Sequence, residues 1–196
     1  MAKIGILGGT FNPPHNGHLL IAQEALAAFS LDEIWWIPTN IPPHKETKDL
    51  ASNEARIEMI KRAISTNEQF ALSLIEFERE GPSYTIDTIK ELKKRYPYHD
   101  FFFIMGGDML YTLHSWHKID QLKQLVTFIG VNRQNYPVDQ FENPYQVKLL
   151  TVPLFDISSS MIRERFATGK NTKYLVPDEV RGFIEESELY GAGKST

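Results

Sequence analysis

Directly behind the short apolar run KIGIL at residues 3–7, the chain reads GGTFNPPHNGHLL, setting three glycines, two prolines and two histidines between a strand pattern and a helical one. This stretch constrains the fold more than any other. A glycine-bearing turn from strand to helix lets a ligand reach main-chain N–H groups at the positive end of the helix. Gly8 and Gly9 are expected to supply backbone angles closed to other residues, and Pro13 and Pro14 to stiffen the approach. His15 and His18 stand three apart, so a helix that begins near Asn16 or Gly17 carries both imidazoles at its start, where they can donate to phosphate oxygens.

The same alternation continues along the chain. Apolar runs predict strands at 3–7, 33–37, 70–75, 100–105, 126–131 and 148–152, and helical patterns fall at 17–29, 53–66, 85–95, 119–125, 160–167 and 177–186. Strand and helix in turn predict an α/β fold, a mostly parallel sheet with helices on both faces. In open sheets of this kind ligands collect beyond the carboxyl ends of the strands, where strand order reverses. The polar signatures at Gly8, Asn40, Gly106 and Ser158 each follow an apolar run, so one rim is expected to gather them.

With 196 residues, 42% hydrophobic and 23% charged, the chain suits one globular domain, expected over 1–190. The remaining GAGKST at 191–196 imitates a P-loop, but Glu188 stands where that motif needs glycine, and a disordered tail is expected there. A net charge of −4 argues against a nucleic-acid partner, whose binding rests on a basic surface. The absence of cysteine excludes disulfides and thiolate metal sites. No apolar run approaches the roughly 18 residues of a membrane span and no secretory leader opens the chain, so a cytoplasmic protein without membrane contact is expected.

The segment GGTFNPPHNGH resembles the G-x-F-x-P-x-H-x-G-H signature of the nucleotidylyltransferase superfamily, whose H-x-G-H is shared with class I aminoacyl-tRNA synthetases. The chain as a whole is similar to the bacterial nicotinate mononucleotide adenylyltransferases. PTNIPPHK at 38–45, SYTIDT at 83–88, GGDML at 106–110, Trp116 and ISSSMIR at 157–163 follow that family's order. The resemblance implies a single Rossmann-like domain of the nucleotidylyltransferase fold, with ATP and nicotinate mononucleotide as small-molecule partners. It implies adenylyl transfer, a step of NAD synthesis.

Such a transfer needs no activated nucleophile, because the attacking phosphate oxygen is already anionic. It demands alignment of two anions, and donors for the charge that builds at phosphorus. Backbone N–H groups around Thr10 and Phe11, reached past Gly8 and Gly9, are expected to cradle ATP phosphate while His15 and His18 donate to its oxygens. If Ser160 caps the helix of ISSSMIR, Arg163 falls in the first turn, in the place a capping-box glutamate would take. By resemblance Ser158, Ser159 and Arg163 hold ATP phosphates, and Gly106 with Asp108 contacts the ribose; Asp108 could equally cap a helix starting at Met109.

The resemblance sets the nicotinate ring on Trp116 and its carboxylate on the Thr85 hydroxyl and main-chain N–H near His117. Read from the residues alone, Trp116 also suits a core position and Thr85 a helix start. Lys45 and Arg133, with Asn40, are the candidates for the mononucleotide phosphate, although the family often shows Arg-Pro-Gly where this chain has Arg133, Gln134 and Asn135. No carboxylate and histidine cluster has metal-site spacing, so Mg²⁺ is expected to arrive with ATP. A homodimer is compatible with the sequence, but no residue pattern specifies it. Three rival readings stay open: nicotinamide mononucleotide or phosphopantetheine as acceptor, a synthetase fragment, and a non-catalytic nucleotide-binding module. The chain lacks the K-M-S-K-S loop that the synthetase reading requires.

Overall fold

In the computed structural model, which describes residues 1–41, 50–132, 143–153 and 156–193, the run DFFFIMG becomes a central strand with little access to water on either face. Such burial is what a parallel strand with helices on both sides requires. Six strands form one sheet: β1 (Lys3–Gly9), β2 (Glu33–Pro38), β3 (Phe70–Leu72), β4 (Asp100–Gly106), β5 (Thr127–Val131) and β6 (Lys148–Leu150). Their order is β3-β2-β1-β4-β5-β6 and every neighbouring pair is parallel. The expected mostly parallel sheet is therefore wholly parallel.

Among the described residues seven α-helices accompany it: α1 (Asn16–Ala28), α2 (Asn53–Ile64), α3 (Thr85–Arg95), α4 (Gly107–Thr112), α5 (Ile119–Leu122), α6 (Ser159–Ala167) and α7 (Asp178–Glu186). Alternation along the strands divides the core in two. Phe102 and Ile104 pack with Ala22, Met59, Ile162 and Val180 from α1, α2, α6 and α7. Phe101, Phe103 and Met105 pack on the other face with Ile89, Leu110 and Leu122 from α3, α4 and α5.

Two strands end earlier than their apolar runs. β3 was expected over 70–75 and stops at Leu72, because its only neighbour is β2 and Ile75 is buried in a 3₁₀ turn at Ile75–Glu78 instead. β6 stops at Leu150, where the Asn132 side chain takes over the ladder: its Oδ1 accepts from the Val152 N–H at 2.7 Å and its Nδ2 donates to the Val152 carbonyl at 3.3 Å. The helix expected over 119–125 is the single turn α5, and α4, too short for a periodic signal, was not expected as an element. The disordered tail expected over 191–196 does not describe its first residues. Ala192 is only 4% exposed and packs in the core, while 194–196 lie outside the described residues.

Strand order reverses between β1 and β4, which lie side by side in parallel register with Leu7 opposite Ile104. A crevice beyond the carboxyl ends of these two strands is the binding position this topology offers.

Candidate active site

β1 runs to Gly9, so Gly8 and Gly9 are extended strand residues, and neither takes the left-handed backbone expected of them. The unusual torsion falls one turn later, on Phe11, with φ 50°. A bulky residue there is strained, and strain of this kind persists only where packing enforces it. The Phe11 ring is buried, edge-on to His18 and tilted against Trp36, with both ring centroids 5.1 Å away. Gly9 is needed for room, since a Cβ there would stand 3.0 Å from the Phe11 ring. Gly8 borders the Phe103 ring, 3.5 Å from where its Cβ would be.

His15 caps α1 in an extended conformation, and its backbone N–H donates to His18 Nδ1 at 3.2 Å. An acceptor nitrogen carries no proton, so the ring proton of His18 sits on Nε2. The two imidazoles stack with centroids 3.6 Å apart, and His15 is only 4% exposed. Gly17 lies beneath this stack: a Cβ would meet the His15 ring at 3.0 to 3.1 Å. The glycine between the histidines is thus the residue that lets His15 fold over the helix start. Asn16 ties the same end to the segment before α7, donating through Nδ2 to the Tyr174 carbonyl at 2.7 Å.

The helix of ISSSMIR is capped by Ser158, whose Oγ accepts from the Met161 N–H at 3.2 Å. Ser160 is not the cap, and Arg163 lies in the second turn instead of the first. Its side chain still reaches the histidine turn, where Nη1 donates to the Asn12 carbonyl at 2.9 Å, and Ser159 Oγ donates to the Pro13 carbonyl at 2.8 Å. Beside Arg163 opens a hollow of about 600 Å³ lined by Ala51, Ser160, Glu164 and Tyr190 among others.

Sequence reasoning missed Arg56. It is fully buried in α2, and Nη1 donates to the carbonyls of Thr10 at 2.9 Å and Thr39 at 2.8 Å while Nη2 donates to Asn53 Oδ1 at 2.6 Å. One guanidinium therefore spans the loops that leave β1 and β2. Burial pulls its pKa down from the ordinary arginine value, opposed by Tyr190 and Glu76. Asn40 joins the same network: its N–H and Nδ2 approach Glu76 at 3.4 Å, and its Oδ1 accepts from Asn53 Nδ2 at 3.3 Å. Glu76 in turn accepts from the Thr88 hydroxyl of α3 at 2.9 Å.

The candidate acceptor residues meet on the other side of β4. Thr85 is the first residue of α3 behind its cap Tyr84, so it does start a helix. The Tyr84 ring lies 4.6 Å from the His117 ring, and Trp116 stands edge-on to Phe103 at 5.6 Å and 89°. Half-buried, Trp116 is both packed and accessible. Ser83 N–H donates to the Ile41 carbonyl at 3.0 Å, which brings the segment after β2 alongside the start of α3. Asp108 occupies the first turn of α4, capped by Gly106, so the alternative of Asp108 as cap of a helix at Met109 is overturned. Lys45 and Arg133 lie outside the described residues. Among the described residues no group of three or more His, Asp or Glu could hold a metal ion, and no helix is long and apolar enough to cross a membrane.

Comparison with known proteins places the chain in a family. Residues 6–165 match the cytidylyltransferase-like family. The chain is 53% identical over 190 residues to the nicotinate-nucleotide adenylyltransferase of Bacillus subtilis (strain 168), covering 97% of this chain and 99% of that one. It is 50% identical over 195 residues to a probable nicotinate-nucleotide adenylyltransferase of Geobacillus thermodenitrificans (strain NG80-2), covering 100% of this chain and 89% of the relative. The fold superposes on Plasmodium falciparum nicotinic acid mononucleotide adenylyltransferase complexed with NaAD with a TM-score of 0.84 at 21% identity, each chain covered in full. With relatives of this identity over nearly its whole length, the chain belongs to the nicotinate-nucleotide adenylyltransferase family.

Proposed function

We propose that the protein transfers the adenylyl group of ATP to the phosphate of nicotinate mononucleotide, giving nicotinate adenine dinucleotide and pyrophosphate in NAD biosynthesis. The observation that carries this reading is the hydrogen bond from His15 N–H to His18 Nδ1, which leaves the ring proton on Nε2 in a turn that Arg163 also grips. An oxygen of the mononucleotide phosphate attacks the α-phosphorus. As that P–O bond forms, the bond from the α-phosphorus to the α,β-bridging oxygen breaks, and pyrophosphate departs with the electron pair. His18 Nε2–H and His15 stabilise the oxygens on which charge collects, and Arg163 with the Ser158 hydroxyl and the Ser159 main-chain N–H holds the departing phosphates. Main-chain N–H groups near Thr10 and Phe11, approached past Gly8 and Gly9, complete the cradle, and Gly106 and Asp108 take the ribose.

On the acceptor side Trp116 stacks on the nicotinate ring, and Thr85 with N–H groups at 117 and the α3 start reads its carboxylate. Lys45, Arg133 and Asn40 serve its phosphate. Magnesium enters as part of the ATP substrate, held by phosphates and water. Curated relatives at about half identity over nearly their whole length support the same acceptor. The test is incubation of the purified protein with ATP, Mg²⁺ and separate phosphate acceptors, with detection of pyrophosphate and the dinucleotide. Nicotinate mononucleotide is expected to be consumed fastest; turnover only with phosphopantetheine, or with no acceptor, overturns the reading.

A further inference from the structure

A tight turn follows α7 at Leu189–Gly191. After α7, Glu188, Tyr190 and Gly191 all take left-handed backbone, with φ 50°, 58° and 78°, and the 3₁₀ turn Leu189–Gly191 folds back toward α6. A tyrosine in that conformation is strained, and such strain persists only where surrounding contacts enforce it. Its hydroxyl lies 2.6 Å from Asn12 Oδ1, inside the histidine turn 178 residues earlier in sequence.

The direction of this bond follows from a third group. The Ala51 N–H, which can only donate, points at the same Asn12 oxygen from 3.1 Å, and this fixes which end of the amide is oxygen. Tyr190 must then be the donor, and the two bonds occupy both lone pairs of Oδ1. Asn12 is only 5% exposed, so neither bond is readily replaced by water. The peptide carbonyl of the same residue accepts from Arg163 Nη1 at 2.9 Å. Tyr190 thus holds the side chain of a residue whose main chain holds Arg163, and Phe11 and His15 lie within three residues of it.

We infer that Tyr190 is a positioning residue for adenylyl transfer: through Asn12 it fixes the turn between β1 and α1 against Arg163, making the final turn of the fold part of the reaction site. The inference rests on the function proposed above. Burial that keeps the phenol protonated agrees with a permanent donor.

Tyr190→Phe keeps the ring beside Phe166 and removes only the hydroxyl. Two readouts decide. In amide exchange on the free protein, residues 10–12 and 15–18 are expected to exchange at least about fivefold faster while β4 is unchanged, because one local anchor is lost. In steady-state assays kcat should fall roughly tenfold with KM for ATP nearly constant, since a small misplacement of transition-state donors costs rate more than binding. In an Arg163→Ala background the added Tyr190→Phe should change kcat by less than about twofold, the coupling expected of residues acting through one contact chain. Unchanged exchange in the turn, faster exchange throughout the protein, unchanged kcat, or full additivity with Arg163→Ala each overturns the inference. If the wild type itself forms no dinucleotide, it is the proposed reaction that fails, and the exchange result still decides whether Tyr190 fixes the turn.

Discussion

The His15 backbone N–H donates to His18 Nδ1 at 3.2 Å while the two imidazole rings stack 3.6 Å apart, so the main chain of one histidine sets the tautomer and the orientation of the other. The proton of His18 is committed to Nε2, the only ring position from which it can donate to a phosphate oxygen. Replacing His18 by alanine removes one transition-state donor. kcat is expected to fall by roughly 10² to 10³ while ATP affinity changes much less. Steady-state kinetics together with equilibrium ATP binding check this, and a near-normal kcat would end the assignment.

Gly17→Ala separates stability from activity. Alanine is favoured over glycine in a helix by about 1 kcal/mol, yet its Cβ would stand 3.0 Å from His15 Nδ1. The imidazole, buried and stacked on His18, must shift by a few tenths of an ångström. These opposing effects leave the melting temperature close to wild type while kcat drops by about tenfold or more. Thermal melts alongside kinetics test it; a fully active Gly17→Ala protein would show that His15 placement is not critical.

Much of this was legible in the sequence because it rests on local pattern. All six strands and six of the seven helices follow from apolar periodicity, and the motifs at Gly8, Asn40, Gly106 and Ser158 follow apolar runs whose parallel alignment brings their ends to one rim. What escaped depends on distant partners. Arg56 shares the buried stripe of α2 with Met59, Ile60 and Ala63, and a charged residue at that spacing is itself a signal, but nothing local names the carbonyls of Thr10 and Thr39 as its acceptors. Tyr190 reads as an ordinary aromatic near the chain end, since its partner lies in the first turn. The cap of α6 was misplaced by two residues because three successive serines offer the same hydroxyl, and only tertiary packing of Ser159 on Pro13 decides among them.

Arg56→Met tests the buried brace. The substitution keeps an unbranched side chain of helical propensity but leaves the Thr10 and Thr39 carbonyls and Asn53 Oδ1 without their donor. Each buried polar group left unsatisfied costs about 1 to 3 kcal/mol, so a stability loss of roughly 3 kcal/mol is expected after partial relaxation. Urea denaturation measures it. A loss below about 1 kcal/mol would mean that water satisfies these carbonyls as well as arginine does.

Trp116→Ala should raise KM for the mononucleotide about tenfold and leave KM for ATP nearly unchanged, since an aromatic face in a site commonly dominates its contact energy. Because one edge of the indole packs on Phe103, some loss of melting temperature accompanies it. Trp116→Phe keeps part of that packing, so it should recover stability more than acceptor affinity. Equal recovery of both would identify Trp116 as a packing residue.

Discrimination between nicotinate and nicotinamide mononucleotides tests the start of α3. The first intrahelical bond there is from Asp87 N–H to the Tyr84 carbonyl at 3.0 Å, so the N–H groups of Thr85 and Ile86 precede the helix ladder and face the positive end of its dipole. A carboxylate accepts from such groups and from the Thr85 hydroxyl through both oxygens, whereas an amide turns an NH₂ toward one of them. A hydrogen bond to a charged group contributes about 1.5 to 3 kcal/mol, so one lost contact corresponds to roughly ten- to a hundredfold in kcat/KM. A site built around polar donors rejects an analogue that leaves them unpaired by up to about 10⁴. Thr85→Val keeps the shape and removes the hydroxyl, and it should lower the preference by about tenfold without abolishing it, because the main-chain donors remain. Measuring kcat/KM for both mononucleotides in wild type and variant decides the matter. Equal efficiency with the two acceptors in wild type would refute a carboxylate-reading site, and a preference untouched by the substitution would assign the discrimination to the main chain alone.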